Sequence, residues 1–233
     1  MAKLKTVMKQ RDETWLYDET AEVAVPFEMT VRGGEAFIEY YPTAKPLVDE
    51  FLQKFGACEA FLLSAEAVKW ACERFGAFLE QHGFWMSPDS EDYYIGYALD
   101  EPQGQILPEI TRLAGDETYT DLTETDIEGL CAGGYIIYAA IVDNNIAAVA
   151  NTGEPIAEET PREVEIGVDT AEKYRRRGYG KACVTALVRE LHERGYTAVY
   201  ECASENTASV GLAESLGGKA AYRKFYIVGF RDE

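Results

Sequence analysis

Apolar residues recur along the chain with two different spacings, and these divide it into strands and helices. Residues Glu22–Val31 and Ala36–Tyr40 read as two short strands separated by the turn signal Gly33-Gly34. Pro46 then suits the first turn of a helix. Leu47, Val48, Phe51, Leu52 and Phe55 follow at helical spacing, and Gly56 closes the run. Ser64 can cap a second helix, whose stripe is Val68, Cys72, Phe75 and Leu79 and which ends near Gly83. Tyr93–Leu99 reads as a strand. The segment from Pro102 to Glu128 is polar and rich in turn residues, which places a domain boundary within it, set between residues 116 and 117.

The second half is patterned more sharply. Tyr135–Val142 and Ile146–Asn151 form a hairpin around the turn Asp143-Asn144-Asn145. Glu163–Asp169 alternates, with Val164, Ile166 and Val168 on one face and Glu163, Glu165 and Asp169 on the other. A glycine-containing loop follows, then a helix with Cys183, Val184, Leu187, Val188 and Leu191 on its buried side and Gly195 as its stop. Thr197–Cys202 reads as a strand, Asn206–Leu216 as a helix ended by Gly217-Gly218, and Ala221–Phe230 as a last strand or hairpin. The fold class is mixed α/β (α+β mixed sheet): an N-terminal α/β region, 1–116, precedes a second domain, 117–233. The strand–helix–strand unit around the loop should be a parallel crossover.

The 233 residues are 47% hydrophobic, enough for a packed core. The 22 basic and 41 acidic residues leave a net charge of −19. A field of that sign repels nucleic acid and anionic membranes, so neither is expected as a partner. Five cysteines, none in C-x-x-C spacing, argue against a disulfide framework or zinc site and are expected to be small buried residues in a reducing compartment. Two histidines exclude a histidine-rich metal centre. The first residues, MAKLKTVMKQRDET, have no apolar core of a signal peptide, and no stretch is long and apolar enough to span a bilayer. The expected location is the cytoplasm, with a homodimer left open.

Against this acidic background, four of the 22 basic residues fall within Lys173–Arg177, directly before Gly178-Tyr179-Gly180-Lys181. A helix start offers backbone N–H groups without partners and a partial positive charge. Gly178 and Gly180 let that backbone approach a ligand without a Cβ in the way. Together these make an anion site, most naturally for a pyrophosphate. The bland alternative is an exposed strand-to-helix turn with a basic rim. The Walker pattern fails, because Ala182 follows Lys181 and the glycine spacing differs. The dinucleotide fingerprint fails at Cys183, where a third glycine belongs, although Glu201 could imitate its ribose-binding acid.

What fits is R-x-x-G-x-G, here Arg175-Arg176-Arg177-Gly178-Tyr179-Gly180, and downstream the helix Asn206 to Gly217, N-x-x-[AS]-x-x-L-x-E-x-L-G. The pair resembles the acetyl-CoA loop and second cofactor helix of the GNAT superfamily of N-acetyltransferases, from about residue 117 to the end. The L-A-E-x-L-G variant and the long N-terminal half look like the branch that includes zwittermicin A resistance proteins. The resemblance implies transfer of an acetyl group from acetyl-CoA to the amine of a small molecule. Arg175, Arg176, Arg177, Gly178, Tyr179, Gly180 and Lys181 match the pyrophosphate loop, Val168 the strand edge that pairs with the pantetheine arm, and Asn206 and Ser209 the second helix. Glu165, on the polar strand face, is the candidate base for the incoming amine, and Glu163 the second choice. Ala213 stands where many members carry a proton-donating tyrosine; Tyr222 or Tyr226 could substitute, or no acid is needed. That departure keeps open an alternative, a catalytically inactive acetyl-CoA-binding or sensor module. The N-terminal region is expected to wall the acceptor cleft.

Overall fold

A computed structural model describes residues 4–18, 20–56, 58–115, 119–157 and 160–231. In chain order the first part carries β1 (Lys5–Gln10), β2 (Val23–Arg32), β3 (Glu35–Tyr40), α1 (Lys45–Phe55), α2 (Glu59–Leu62), α3 (Ala65–Gln81), β4 (Trp85–Met86) and β5 (Tyr94–Leu99). Then come β6 (Ile110–Arg112), β7 (Thr120–Asp121), α4 (Ile127–Ala132), β8 (Ile137–Val142), β9 (Asn145–Thr152) and β10 (Glu163–Thr170). The chain closes with α5 (Tyr179–Glu193), β11 (Thr197–Ala203), α6 (Thr207–Ser215) and β12 (Lys219–Phe230). The class is mixed α/β, as the spacing implied. Two compact units result: Met1–Gly96 with Ala203–Glu205 and Ala221–Glu233, and Tyr97–Cys202 with Asn206–Ala220. The expected boundary between 116 and 117 lies outside the described residues.

In the first unit the sheet order is β1-β3-β2-β12. β1 runs parallel to β3, the other two pairings are antiparallel, and β4 adds a short antiparallel rung at Gly229↔Met86. The β2–β3 hairpin turns on Gly33 and Gly34, both at positive φ (59° and 83°), where a side chain would be strained. Ser64 caps α3 by accepting the Ala67 N–H. The core is aromatic: Phe27 stacks on Phe75 with centroids 4.9 Å apart, and Phe51 and Phe225 meet it edge-on.

β1 is the strand the apolar pattern does not announce. Its residues are mostly exposed, and it is held instead by cross-strand ion pairs, Lys5–Glu35 and Lys9–Glu39, both at 2.7 Å. Arg11 extends this lacing inward, bridging Glu28 and Glu39. These two partners raise its pKa against the opposing pull of burial, and Lys9 and Arg11 together hold the Glu39 carboxyl below its ordinary range.

The second unit contains β11-β10-β9-β8-β6 in that order, with β7 alongside the start of β9. The β8–β9 turn is tighter than expected: Asp143 and Asn144 alone turn the chain, at φ of 50° and 59°, and Asn145 already belongs to β9. α5 buries every residue from Ala182 to Val188, and Leu191, against the sheet. α4 has no counterpart in the residue pattern; Asp126 caps it by accepting the Gly129 N–H at 3.0 Å. Of the five cysteines only Cys183 and Cys202 are buried, so the expectation of buried cysteines fails for Cys58, Cys72 and Cys131, which line partly open surface. Among the described residues no helix is long and apolar enough to cross a membrane, and no cluster of ligating side chains could hold a metal ion.

Candidate functional site

The loop residues singled out by sequence lie together at the start of α5, in the second unit. β10 leads into a short helical turn, Glu172–Tyr174, whose Tyr174 is buried and anchors the loop. The Tyr179 ring packs edge-on to Tyr174, and the Lys173 ammonium and Arg177 guanidinium lie 4.9 and 5.5 Å from the same ring. Arg175 is pinned by its Nε–H, which donates to the Thr170 carbonyl at 3.0 Å. Arg176 takes φ of 61° and Gly178 φ of 86°, so two left-handed residues flank Arg177 and turn successive amides to one side.

Helices α1 and α5 both begin without a side-chain cap hydrogen bond, but α1 runs on directly from a helical turn at Pro42–Ala44 whereas α5 follows a loop. α3, α4 and α6 each start on a side-chain cap, from Ser64, Asp126 and Asn206. α5 starts on Gly178 with no side-chain cap hydrogen bond and no acidic residue in its first turn. The amides of Tyr179, Gly180 and Lys181 lack intrahelical acceptors by helix geometry. They are therefore left to an outside acceptor beside the basic residues Arg175–Arg177. A Cβ built on Gly180 would stand 2.7 Å from Thr170 Oγ1 and 3.4 Å from Val168 Cγ2, so glycine is what lets α5 start this close to β10. The cradle fits a diphosphate. The Lys181 ammonium is turned away from this start, donating to the Ser215 carbonyl at the end of α6 at 2.6 Å.

Beside the loop, β10 has an open edge. The parallel β10–β11 ladder runs from Glu163↔Thr197 to Glu165↔Val199 and, among the described residues, no further, although both strands continue. On its other side β10 stays paired with β9 as far as Thr170↔Ala148. Parity assigns the backbone groups. The Glu165 carbonyl accepts from Gly153 N–H and the Ala171 N–H donates to Ala147, so odd residues face β9. The Arg162 carbonyl accepts from Thr197 N–H, so even residues face β11. Past Glu165 that side carries no ladder, and Val168 presents its N–H and C=O there. This is the edge to which an extended amide-bearing chain can add.

Glu163 and Glu165 are exposed, alternating with the buried Val164 and Ile166. Val168 and Thr170 point their side chains towards Gly180 of α5, so the odd face that bears Glu165 is the opposite one. On α6, the Asn206 carboxamide oxygen is committed to the cap, accepting the Ser209 N–H at 3.1 Å. Burial pushes the Tyr200 phenol up in pKa, and a hydrogen bond with the Ser209 side chain pulls it partly back. Ala213 is fully buried, without a hydroxyl to offer. Tyr222 belongs to the first unit, where its ring covers Gly96 so closely that a Cβ there would collide with it. The open edge and the missing cap were not foreseeable from residue spacing, since both depend on which partners are absent.

Residues 134–223 match the family model of the GNAT acetyltransferases. Solved structures with a similar arrangement include GNAT-family acetyltransferases from Novosphingobium aromaticivorans (20% identity, 60% of this chain and 66% of that one, TM-score 0.47) and Colwellia psychrerythraea (14%, 84% and 76%, TM-score 0.47). A third, a GCN5-related N-acetyltransferase from Sphaerobacter thermophilus, has 12% identity over 84% of this chain and 73% of that one, with a TM-score of 0.44. No curated protein is significantly similar in sequence.

Proposed function

We propose that the chain transfers the acetyl group of acetyl-CoA to the amine of a small molecule, by direct attack of the amine on the thioester, a reading that the match of residues 134–223 to the GNAT acetyltransferase family model supports. One observation carries the reading. An uncapped amide turn under a basic cluster opens beside a strand edge that has lost its neighbour. The first is the shape of a diphosphate site and the second of a site for an extended arm with two amides.

The amides of Arg177 to Lys181 hold the diphosphate, assisted by the charges of Arg175, Arg176 and Arg177. The Val168 edge pairs with the arm and aligns the thioester along β10. As the tetrahedral centre forms, the Val168 N–H meets the oxyanion. A primary amine with pKa near ~10 must lose a proton before it attacks. Glu165 takes that proton. It lies about 10 Å along the strand from Val168 at ~3.3 Å per residue, so the proton travels through ordered water. The departing thiol, with pKa ~8.5, leaves without obligatory protonation. Asn206 and Ser209 flank the arm from α6.

The experiment is release of CoA thiol over a panel of amines, with acetyl-CoA affinity measured separately by calorimetry. Turnover with at least one amine supports the enzyme. Acetyl-CoA binding without turnover by any amine favours the binding module, the reading that the buried, hydroxyl-free Ala213 supports. A thermal shift with NAD but none with acetyl-CoA would overturn both.

A further inference from the structure

The first unit has a cavity of its own, formed between the start of α3, β4 and the segment entering β5, with a volume of about 570 Å³. That lies within the ~300–1,000 Å³ typical of small-molecule sites. Its floor is apolar, from Leu63, Val68, Cys72 and Met86. Its mouth carries four carboxylates, Glu73, Glu91, Asp92 and Glu205, against one ammonium, Lys69, which is itself paired with Glu73 at 4.0 Å. Tyr93 supplies an aromatic wall.

The rim is built rather than incidental. Asp92 accepts from Tyr93 N–H at 2.7 Å, Ser204 Oγ–H at 2.7 Å and Glu205 N–H at 3.0 Å. The Ser204 N–H returns a bond to the Tyr93 carbonyl at 2.9 Å. These four bonds hold the wall and two of the acids in fixed register. The Cys72 thiol donates to the Ser90 carbonyl at 3.0 Å, and burial with nearby Glu91 keeps it protonated, its pKa pushed up to about 11. The floor is therefore neutral as well as apolar. Among the described residues no three acidic, histidine or cysteine side chains converge to hold a metal. The negative charge is instead spread around an apolar hollow, which suits a diffuse cation with a hydrocarbon body.

We propose that this cavity is a binding site for an organic ammonium ion, one that pairs a positively charged nitrogen with an apolar or aromatic group. The site belongs wholly to the first unit and stands independently of the acyl-transfer reading. The ammonium lies at the mouth among the carboxylates and over Tyr93, and its apolar part covers Val68 and Met86.

The test is calorimetric titration of the full chain with benzyltrimethylammonium, with benzyl alcohol, benzoate and spermidine as neutral, anionic and purely polar controls. Benzyltrimethylammonium should bind saturably, at least tenfold tighter than each control. The double variant Glu73→Gln/Glu91→Gln keeps the shape, removes two exposed charges and should weaken it at least tenfold. Ala65→Trp, at an exposed position on the mouth, should abolish binding by filling the hollow. Melting curves and acetyl-CoA affinity are recorded on the same samples. A loss of acetyl-CoA binding would concern the other site alone. The proposal is overturned by absence of saturable binding, by benzoate or spermidine binding as well as the aromatic cation, or by unchanged binding in either variant.

Discussion

Replacing Gly180 with alanine tests the closest approach in the candidate site. The new Cβ would lie 2.7 Å from Thr170 Oγ1, against an ordinary contact of 3.4 Å or more, a shortfall of 3.4 − 2.7 = 0.7 Å. The obstructing atom is one bond from the Cβ of a β-branched strand residue, so it cannot swing aside freely. The start of α5 must move off β10, or Thr170 must leave its rotamer. Overpacking of this kind costs ~1–3 kcal/mol. In a unit of this size that corresponds to a fall in Tm of roughly 3–15 °C. The same displacement pulls the α5 amides from the position that receives the diphosphate. Losing one charge-assisted hydrogen bond, ~1.5–3 kcal/mol, should raise the acetyl-CoA Kd roughly 10- to 150-fold. Thermal melting and calorimetry read the two effects. Thr170→Ala removes the obstructing oxygen and leaves only the ordinary contact to Val168, so Gly180→Ala should be far milder in that background. Wild-type melting and affinity in Gly180→Ala, or a double variant no better than the cycle's additive sum, would refute the reasoning.

At Gly178 a Cβ would meet nothing within 4 Å, so Gly178→Val should act through its φ of +86° alone, destabilising by ~1–2 kcal/mol and weakening acetyl-CoA binding, whereas Gly178→Asn should do less. Glu165→Gln should lower kcat by ~10²–10⁴-fold with little change in acetyl-CoA affinity, and should remove the acidic limb of the pH–rate profile. Tyr222→Phe keeps the ring that covers Gly96, and because the departing thiol needs no protonation kcat should stay within about twofold of wild type; a fall of ~10-fold or more would refute that step. Burial and a hydrogen bond to Glu190 push the Tyr138 phenol up to about 12 from 10. Its folded-state pKa is raised, so the stability it contributes is present below pH 10 and is lost as pH rises towards about 12. Chemical denaturation across that window should show a smaller alkaline loss in Tyr138→Phe than in wild type.

Elements with an apolar side were legible. The stripe of α5, the alternation of β10 and the cap Ser64 all appear where the residues indicate, because burial and capping leave direct marks on residue order. β1 left no such mark. Its pairing rests on Lys5, Lys9 and Arg11 meeting acids far along the chain, and charge partners at that separation cannot be read from spacing. α4 was obscured because its helical positions include Gly129 and are followed by Gly133-Gly134. At the candidate site the basic and glycine positions were readable, but the end of the β10–β11 ladder at Glu165 was not, since a strand's residues do not report where its neighbour departs. The turning aside of Lys181 towards Ser215 was equally hidden.

The first unit is not contiguous in the chain: its sheet draws β1, β2 and β3 from the beginning and the residues of β12 from Ala221 onward. During synthesis, Phe27, Phe51 and Phe75 emerge long before Phe225, the ring that completes their cluster. That aromatic surface therefore stays incompletely covered until β12 has been made. A single cut anywhere between β3 and β12 would leave neither piece with the first unit's whole sheet, so fragments ending before β12 should be captured by chaperones or aggregate, and adding back the β12 strand in trans should rescue them.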